Sequence, residues 1–446
     1  MRIGNFIHAK LFKISHILPY PNFFNQCDKL SHKLTKAELS EKQNQMLKEI
    51  VNYSYDEIMY YHDLFNSLKL APKDIQKTSD LEKLPILTKE DVKKSWKDFR
   101  PKNLNKIPFT QNSTGGTTGT PFVYRISKED RFLSLALLYR GWKKAGYKYA
   151  DRMVFLAGAS LDISSRSSLT KFVHEKVRNI KKLSSFEMND FNLRKYVDII
   201  NYFKPLFIRG YPSAIYYFSH WIKDNNIKIH SPKAVFVTSE KLYPRIRDGI
   251  SETFKCDVYD AYGLNDGGLS AFECSLHKGL HLDTERSYAE VVNDTGEGTM
   301  EKEGRIIATN LVNTAMPLIR YDTGDIGVMT TTLCECGDSH PILKEITGRS
   351  VDILITPEGT AVHGWFFQHT FWRYHKGIKE YQVVQNTTCD IDIFIVKDEQ
   401  FESSIIEDIR STARNISPRW ILNFKYVEQI PRTNSGKFKF IINNIK

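Results

Sequence analysis

Three short apolar runs, separated by longer stretches with helical periodicity, constrain the fold of this chain more than any other feature. They lie at residues 153–156, 206–208 and 234–237. Short continuous apolar runs that alternate with helical stretches are typical of parallel strands buried on both faces of an α/β sheet. We therefore predict a parallel sheet in this part of the chain, with ligand-binding loops at the carboxyl ends of its strands.

The segments on either side of these runs have different patterns. The first hundred residues carry apolar side chains at helical spacing, which predicts mostly helix. Near the C-terminus, an alternating strand pattern at 390–393 is followed by apolar residues at helical spacing at 405–413. We therefore predict a large α/β domain at residues 1–348, with a mostly helical outer layer at 1–105, and a small α+β domain at 349–446.

Composition favours a folded protein that binds anions. The chain has 446 residues, of which 41% are hydrophobic, and this is enough for a large core. Its 63 Lys and Arg residues against 52 Asp and Glu residues give a formal net charge of +11, which suits anionic ligands such as nucleotides. The positive charge is spread along the chain without a nucleic-acid-binding motif, so we predict no nucleic-acid partner.

The N-terminal segment and the cysteines indicate the cellular compartment. Lysines and histidines interrupt the apolar residues of the first 18 positions, so we expect no cleavable signal peptide. Six cysteines in so long a chain are typical of reduced thiols or metal ligands, and a cytoplasmic protein is predicted. The apolar residues between Ile3 and Leu18 recur at helical spacing, which leaves two alternatives: packing on the protein's own body or peripheral association with a membrane surface. A homodimer is a further partner that the sequence leaves open.

Residues 113–121 are rich in glycine and small hydroxyl residues and read Ser-Thr-Gly-Gly-Thr-Thr-Gly-Thr-Pro. Glycines allow the backbone to turn its N–H groups towards an anion, and the hydroxyl groups supply further donors. The segment lies between two predicted strands and lacks the Gly-Lys-Ser/Thr ending of a Walker A loop, which argues against an ordinary P-loop NTPase. The pattern favours a phosphate-binding loop, and a polar surface turn is the alternative.

Five further segments follow this loop in a fixed order. They are residues 238–242, 260–266, 320–325, 346–350 and 431–437. Together with the loop, their order and spacing resemble the acyl-adenylate-forming superfamily, and in particular the phenylacetate-CoA ligase family with its capsule-biosynthesis relatives. The resemblance spans roughly residues 80 to 440.

The resemblance implies an enzyme with the acyl-adenylate-forming fold, in which a small mobile C-terminal lid domain follows the large α/β domain. In such enzymes a carboxylate attacks the α-phosphate of Mg-ATP, pyrophosphate leaves, and the acyl group of acyl-AMP passes to an acceptor. Coenzyme A is the acceptor that the family implies first. Transfer from a small or glycan-linked acid to an amine or hydroxyl of a sugar, such as an amino sugar in surface-polysaccharide biosynthesis, is one alternative. A nucleotide-binding protein without catalysis is another.

The resemblance also implies roles for individual residues in phosphate chemistry. Lys437 would neutralise charge at the α-phosphate, Asp266 would bind Mg²⁺ through hard oxygen ligands, and Thr117 would assist catalysis from the loop. The other residues expected to bind the phosphates of ATP are Ser113, Thr114, Gly115, Gly116, Thr118, Gly119 and Thr120.

The later segments are expected to recognise the nucleoside. The family pattern implies that Asp325 accepts hydrogen bonds from both ribose hydroxyls, that Arg349 adds a cation near the ribose and phosphate, and that Tyr262 stacks on the base. The other residues expected around the AMP moiety are Ser239, Glu240, Lys241, Asp260, Ala261 and Gly263.

Two positions depart from the family pattern. Asp266 stands where Glu is usual, and it follows Asn265 in place of Ser or Thr. A shorter carboxylate would move Mg²⁺ or recruit a bridging water. Val351 stands two positions beyond Arg349, where an acidic residue or lysine is usual at the hinge. Because hinges need permissive backbone angles more than a particular side chain, we expect domain rotation to be retained.

A second site is predicted to hold a structural zinc ion. Cys334 and Cys336 offer two thiolates on a tight turn, and Cys274 and His281 are similar to the additional ligands of zinc-bearing family members. Three cysteines and one histidine are a standard tetrahedral zinc set. Free thiols beside a surface histidine are the alternative.

The acid that would be activated is not specified by any motif. Side chains for its pocket are expected from residues 139–142, 156–160, 211–213 and 237–239. These segments offer aromatic and small side chains, which describes a mixed pocket without selecting among aryl, fatty, amino and sugar acids.

Overall fold

The computed structural model describes the residues 2–113, 122–157, 168–185, 188, 190–349, 353–359, 361–363, 367, 370–371, 377–431 and 438–445. The described residues up to Thr347 form one compact unit, and those from Gly348 onwards form a second.

Helices fill most of the first hundred residues. They are α1 (Arg2–Ile17), α2 (Phe23–Lys29), α3 (Lys36–Glu57), α4 (Met59–Ser67) and α5 (Lys89–Lys94). Thr35 begins α3 with a capping box, in which its hydroxyl accepts from the Glu38 backbone N–H and the Glu38 carboxylate accepts from the Thr35 N–H at 2.7 Å. Among the described residues, the helices are all too short or too polar to cross a membrane.

The rest of the first unit alternates strands and helices before it becomes all strand. The elements are β1 (Phe109–Ser113), β2 (Val123–Ser127), α6 (Lys128–Lys143), β3 (Met153–Ala157), α7 (Ser168–Arg178), β4 (Ile180–Ser184), α8 (Asp190–Phe203), β5 (Phe207–Gly210), α9 (Pro212–Asp224), β6 (Ala234–Thr238), α10 (Pro244–Phe254), β7 (Asp257–Gly263), β8 (Ser270–Glu273), β9 (Leu280–Leu282), β10 (Ser287–Val292), β11 (Glu303–Asn310), β12 (Tyr321–Thr330) and β13 (Ile342–Arg349).

Within the described residues, eleven of these strands form one sheet in the order β10-β11-β12-β13-β9-β8-β7-β6-β5-β3-β4. The half from β4 to β7 is parallel, and β7, β8 and β9 pair antiparallel. The three predicted runs lie in β3, β5 and β6, which confirms the parallel sheet. β1 and β2 form a separate antiparallel pair.

Helix α6 covers one face of the parallel half of the sheet. Its side chains Tyr139 and Trp142 are buried against Met153, Phe207 and Phe236, which belong to three neighbouring strands. A second core lies between helices α3 to α5 and the strands β10 to β12. These apolar contacts hold the carboxyl ends of the parallel strands in fixed positions.

The second unit is a small α+β structure. It comprises β14 (Ile353–Ile355), β15 (Ala361–His363), β16 (Ile378–Gln385), β17 (Asp390–Lys397), α11 (Ser404–Ile416), β18 (Ile421–Tyr426) and β19 (Ile441–Asn443). Four strands form a sheet in the order β18-β17-β16-β19. Ile405, Ile409 and Ala413 of α11 pack with the inward residues Ile391 and Ile393 of β17. The alternation and helical spacing seen in the sequence thus correspond to a strand and a helix.

Candidate active site

The carboxyl ends of β3, β5, β6 and β7 lie at one edge of the sheet because these strands are parallel. Two of the predicted nucleotide-binding segments begin there. Ser239 follows β6 and has a φ of +74°, a backbone conformation that is unusual for a residue other than glycine. The chain therefore turns sharply as it leaves β6, and Tyr262 and Gly263 end β7 at the same edge.

Two tyrosine–aspartate hydrogen bonds join the segment 260–266 to the segment 320–325. The Tyr262 hydroxyl donates to Asp325 Oδ2 at 2.7 Å, and the Tyr321 hydroxyl donates to Asp266 Oδ2 at 2.9 Å. Both carboxylates are 3% exposed, although β7 and β12 are not neighbours in the sheet. Two motifs that are more than fifty residues apart in sequence are thus in direct contact.

Burial and nearby negative charge both change the pKa values of the tyrosines beside Asp266. Burial, followed by the negative charge of Asp266, raises the pKa values of Tyr321 and Tyr124. Both hydroxyls therefore stay protonated at neutral pH. Tyr124 belongs to β2, so the strand that follows the glycine-rich loop lies beside Asp266. The Asp325 backbone N–H donates to Thr323 Oγ1 at 3.0 Å, which fixes the backbone of β12 at the residue that carries the carboxylate.

Strand alternation divides the predicted residues of β7 between two faces. Asp260 and Tyr262 project to one face and Ala261 to the other. Burial and the neighbouring Glu273 carboxylate raise the pKa of Asp260 to about 7. Among the described residues, a Cβ atom added at Gly263 would meet nothing within 4 Å.

A hydrogen-bonded network connects the backbone of Asp260 to Glu273 of β8 and Arg247 of α10. Arg247 donates to both oxygens of Glu273 at 2.6 and 3.1 Å, and Glu273 also accepts from the Asp260 N–H at 2.8 Å. His277 Nδ1 lies 2.9 Å from the same carboxylate. Although burial opposes the effect, the hydrogen bonds from His277 and Arg247 lower the pKa of Glu273. The network fixes β7 against α10.

The two charged residues that follow Ser239 have protein partners. Glu240 Oε2 accepts from the backbone N–H of Ser213 at 3.0 Å, in the first turn of α9, where a carboxylate is favoured by the helix dipole. Lys241 donates to Glu345 at 3.1 Å and to the Thr347 carbonyl oxygen at 3.2 Å. These contacts tie the turn after β6 to α9 and β13.

Several predicted site residues lie outside the described part of the chain. Ser113 is described as the last residue of β1, paired with Val123 of β2, and Arg349 as the last residue of β13 without its side chain. The predicted residues that lie outside are Thr114, Gly115, Gly116, Thr117, Thr118, Gly119, Thr120, Val351 and Lys437.

The four predicted zinc ligands are close together. Cys274 Sγ lies 3.7 Å from Cys334 Sγ, Cys336 Sγ lies 3.6 Å from His281 Nε2, and the four ligand atoms are all within 4.8 Å of one another. Ligands about 2.3 Å from a tetrahedral zinc ion would be roughly 3.8 Å apart. Burial and the charge of Lys144 lower the pKa of His281 to about 4, so its imidazole is neutral. The structure thus places the four predicted ligand atoms next to one another.

Sequence reasoning missed several residues of the site. Tyr321 lies within a recognised segment, yet nothing in the sequence indicates its bond to Asp266. Arg247 and Glu273 lie outside the recognised segments and 26 residues apart in sequence, and their pairing follows from how α10 and β8 flank β7. Arg209 directly follows the apolar run at 206–208 and belongs to β5, where a charged residue is itself an unusual signal.

Comparisons with known proteins agree with this fold. Residues 354–444 match the family model of the CapK C-terminal domain. Protein CapK of Staphylococcus aureus is 26% identical, over 92% of this chain and 90% of that protein. The phenylacetate-coenzyme A ligase of Thermus thermophilus is 25% identical, over 85% of this chain and 86% of the ligase.

A solved structure extends the similarity to three dimensions. The 2-hydroxyisobutyryl-CoA ligase in the postadenylation state, in complex with R3-HIB-AMP, has a TM-score of 0.74 at 17% identity and covers 93% of this chain and 91% of its own. The fold is therefore that of the acyl-adenylate-forming ligases, as predicted. In sequence, the chain is similar to CapK and to the phenylacetate-CoA ligases.

Proposed function

We propose that this protein activates a carboxylic acid with ATP, releases pyrophosphate, and transfers the acyl group of the resulting acyl-AMP to coenzyme A. The observation that carries the proposal is the contact between segments 260–266 and 320–325, made by the Tyr262–Asp325 and Tyr321–Asp266 hydrogen bonds. A nucleoside needs an acceptor for its ribose hydroxyls and a flat surface for its base. Asp325 and the ring of Tyr262 offer these two features side by side.

Chemistry at the α-phosphate requires cations and preorganised donors, because negative charge develops on the transferring oxygen atoms. Asp266 is the residue we assign to Mg²⁺, which prefers oxygen ligands and would supply positive charge at the phosphates. The hydrogen bond from Tyr321 occupies Oδ2, and Oδ1 of Asp266 accepts no hydrogen bond among the described residues. The carboxylate is therefore held in one orientation with an oxygen atom available for coordination.

Acid-dependent exchange of labelled pyrophosphate into ATP tests the first half-reaction. Aryl, fatty, amino and sugar acids are screened with wild-type protein and with Lys437→Ala. We expect exchange with at least one acid, and a loss of roughly 10²–10³ in rate for Lys437→Ala, as when one key charge-stabilising donor is removed. Lys425→Ala is the matched control, since Lys425 is an exposed lysine of the same unit that pairs with Asp392 at 2.8 Å.

Two outcomes would contradict the proposal. Exchange that is absent with every acid, while ATP binds normally, would leave a nucleotide-binding protein without catalysis. Equal rates for Lys437→Ala and Lys425→Ala would remove the assigned role of Lys437. The acceptor is then identified by adding coenzyme A, or amino sugars, to preformed acyl-AMP and measuring AMP release. Discharge to coenzyme A supports the proposal, and discharge to the amino sugar alone would favour an amide or ester ligase.

We also propose a structural zinc ion at Cys274, His281, Cys334 and Cys336. The spacing of the ligand atoms suits a tetrahedral site, and four protein ligands leave no open position for catalysis. His281 Nδ1 lies 3.7 Å from the Asp338 carboxylate. A carboxylate beside the second ring nitrogen is typical of metal-bound histidine.

Metal analysis tests the zinc proposal. We expect about one zinc per chain in the purified protein, and substoichiometric zinc with a lower melting temperature in Cys336→Ser, because a structural ion binds to the folded state. Cys389→Ser is the control, since Cys389 is remote in sequence and belongs to the other unit. Wild-type protein that is free of zinc and melts at the same temperature with and without added zinc would refute the site.

A further inference from the structure

One row of side chains across the parallel sheet contains an arginine among aromatic residues. The strand register aligns Phe155 of β3 with Arg209 of β5, Arg209 with Phe236 of β6, and Phe236 with Tyr259 of β7. All four side chains therefore project from the same face of the sheet. That face is the one covered by α6, whose Trp142 stacks on Phe236 at 5.6 Å.

The guanidinium group of Arg209 lies between two aromatic rings. Its Cζ atom is 5.1 Å from the centre of the Trp142 ring and 5.7 Å from that of Phe155. No ion pair and no hydrogen bond engages this group within the described residues, and the side chain is only partly exposed. Aromatic faces attract a cation but leave its N–H donors unsatisfied.

An unpaired cation at such a position is costly, since buried charges are normally paired. Burial lowers the pKa of Arg209 to about 10, so the side chain is still charged at neutral pH. An apolar side chain at the same position would complete the aromatic row without this cost. The stability of the fold therefore does not explain the arginine, and a ligand that supplies the missing partner does.

The position of Arg209 relates this cation to the proposed active site. Arg209 is one residue from the end of β5, at the edge of the sheet where β6 leads to Ser239 and β7 ends at Tyr262 and Gly263. The next row towards that edge holds the short side chains of Thr238 and Ala261, which are aligned with each other. The two rows are roughly 7 Å apart along the strands. Tyr211, two residues beyond Arg209 at the start of α9, is fully buried, so a ligand at the edge would approach Arg209 over Thr238 and Ala261.

We propose that Arg209 binds a second anionic group on the acid that this protein activates, so that the substrate is a dianion with a carboxylate to be adenylated and a distal carboxylate, sulfonate or phosphate. The inference rests on the proposed adenylation activity and specifies its substrate class. The planar guanidinium forms two parallel hydrogen bonds with such groups while its faces remain stacked on Trp142 and Phe155. A neutral aryl or alkyl acid leaves the cation unpaired.

Matched pairs of acids test this inference by pyrophosphate exchange. Succinate, 3-sulfopropionate and 3-phosphonopropionate are each compared with butyrate, and 1,4-phenylenediacetate is compared with phenylacetate. The variant is Arg209→Met, which keeps an unbranched side chain and removes the charge. We expect the wild type to prefer the dianion of at least one pair, and kcat/KM for that dianion to fall about 10- to 100-fold in Arg209→Met, the range for losing hydrogen bonds to a charged group. The neutral partner should change less than about 3-fold, because it makes no such bond.

Arg194→Met is the matched control. Arg194 also lies over a tryptophan, with its Cζ atom 5.6 Å from the Trp221 ring, but it is exposed and paired with Asp190 at 2.9 Å. Its replacement should leave the preference unchanged. Arg209→Met should melt no lower than the wild type, since it removes an unpaired cation, and this shows that any lost activity is not lost folding.

The outcomes separate the two proposals. Exchange with neutral acids that are preferred to their dianions, or a dianion preference that Arg209→Met leaves intact, would overturn the assignment of Arg209 and keep the adenylation activity. Absence of exchange with every acid contradicts the proposed function itself. In that case, binding of the same dianions without ATP is measured by calorimetry. Equal affinity for wild type and Arg209→Met, or no binding to either, would overturn the role of Arg209 as well.

Discussion

At the scale of single residues, the candidate site depends on hydroxyl groups that orient carboxylates. The ring of Tyr262 lies at the end of β7, and its hydroxyl donates to Asp325. Tyr321 orients Asp266 in the same way, and its own protonation is secured by burial. Asp266 is thus held in one orientation by a hydroxyl group of the segment 320–325.

Replacement of Asp325 by alanine should weaken ATP binding. Loss of hydrogen bonds between a carboxylate and two ribose hydroxyls costs about 1.5–3 kcal/mol, so we expect KM for ATP to rise about 10- to 100-fold. The measurement is pyrophosphate exchange as a function of ATP concentration. Tyr262→Phe is the comparison, since it removes a single hydroxyl that contacts Asp325 and keeps the ring, and its effect should be smaller. An unchanged KM in a folded Asp325→Ala protein would exclude the ribose contact.

At the scale of secondary structure, α6 is the helix that packs on the parallel half of the large sheet. Ser127 caps the helix by accepting from the Asp130 N–H at 3.2 Å, and its far end places Trp142 on the sheet. Gly141 allows α6 to approach β8 closely, since a Cβ atom added at this position would lie 2.3 Å from the Phe272 ring. The absence of a side chain there brings α6 and β8 into direct contact.

Gly141→Ala should therefore destabilise the protein, although alanine is the better helix former. The helix propensity gain is at most about 1 kcal/mol, whereas overpacking costs about 1–3 kcal/mol, so we expect a net loss in the free energy of unfolding. Urea denaturation measures it. Gly249→Ala in α10 is the comparison: its Cβ atom would lie 2.6 Å from Cε2 of Tyr216, a half-buried ring that can rotate away. Equal stability changes for the two variants would contradict the argument.

At the scale of the whole molecule, a buried polar network connects elements that are distant in sequence. Arg286, which precedes β10, donates to both oxygens of Asp130 in α6 at 2.6 and 3.0 Å. Asn310 of β11 donates to the same aspartate at 3.3 Å. Arg286 is 1% exposed and Asp130 is fully buried, so each charge depends on the other.

Removal of one partner should be costly, and removal of both should be less so. Arg286→Met leaves the Asp130 carboxylate buried without its counter-charge, which costs about 3–5 kcal/mol of stability. The double variant Asp130→Leu with Arg286→Met removes both charges, and we expect it to recover a large part of this loss. Urea denaturation of the single and double variants gives the coupling energy. Strictly additive effects would show that the two groups do not depend on each other.

The sequence predicted a large part of this architecture for identifiable reasons. The runs at β3, β5 and β6 were recognisable because a strand buried on both faces is apolar throughout. The motifs around Tyr262 and Asp325 were recognisable because their residue types follow a known order. The partners Tyr321, Arg247 and Glu273 were not, since they belong to ordinary strand and helix positions whose contacts arise from strand order and side-chain direction.

By itself the sequence determined the fold class and the order of the motifs, because local periodicity and motif order are properties of the chain alone. The tertiary structure decided which of these groups meet. Register across the sheet put Arg209 among Phe155, Phe236 and Tyr259, and the approach of β12 to β7 paired Tyr262 with Asp325. These contacts depend on long-range packing and on the alternation of faces, and no local pattern encodes them.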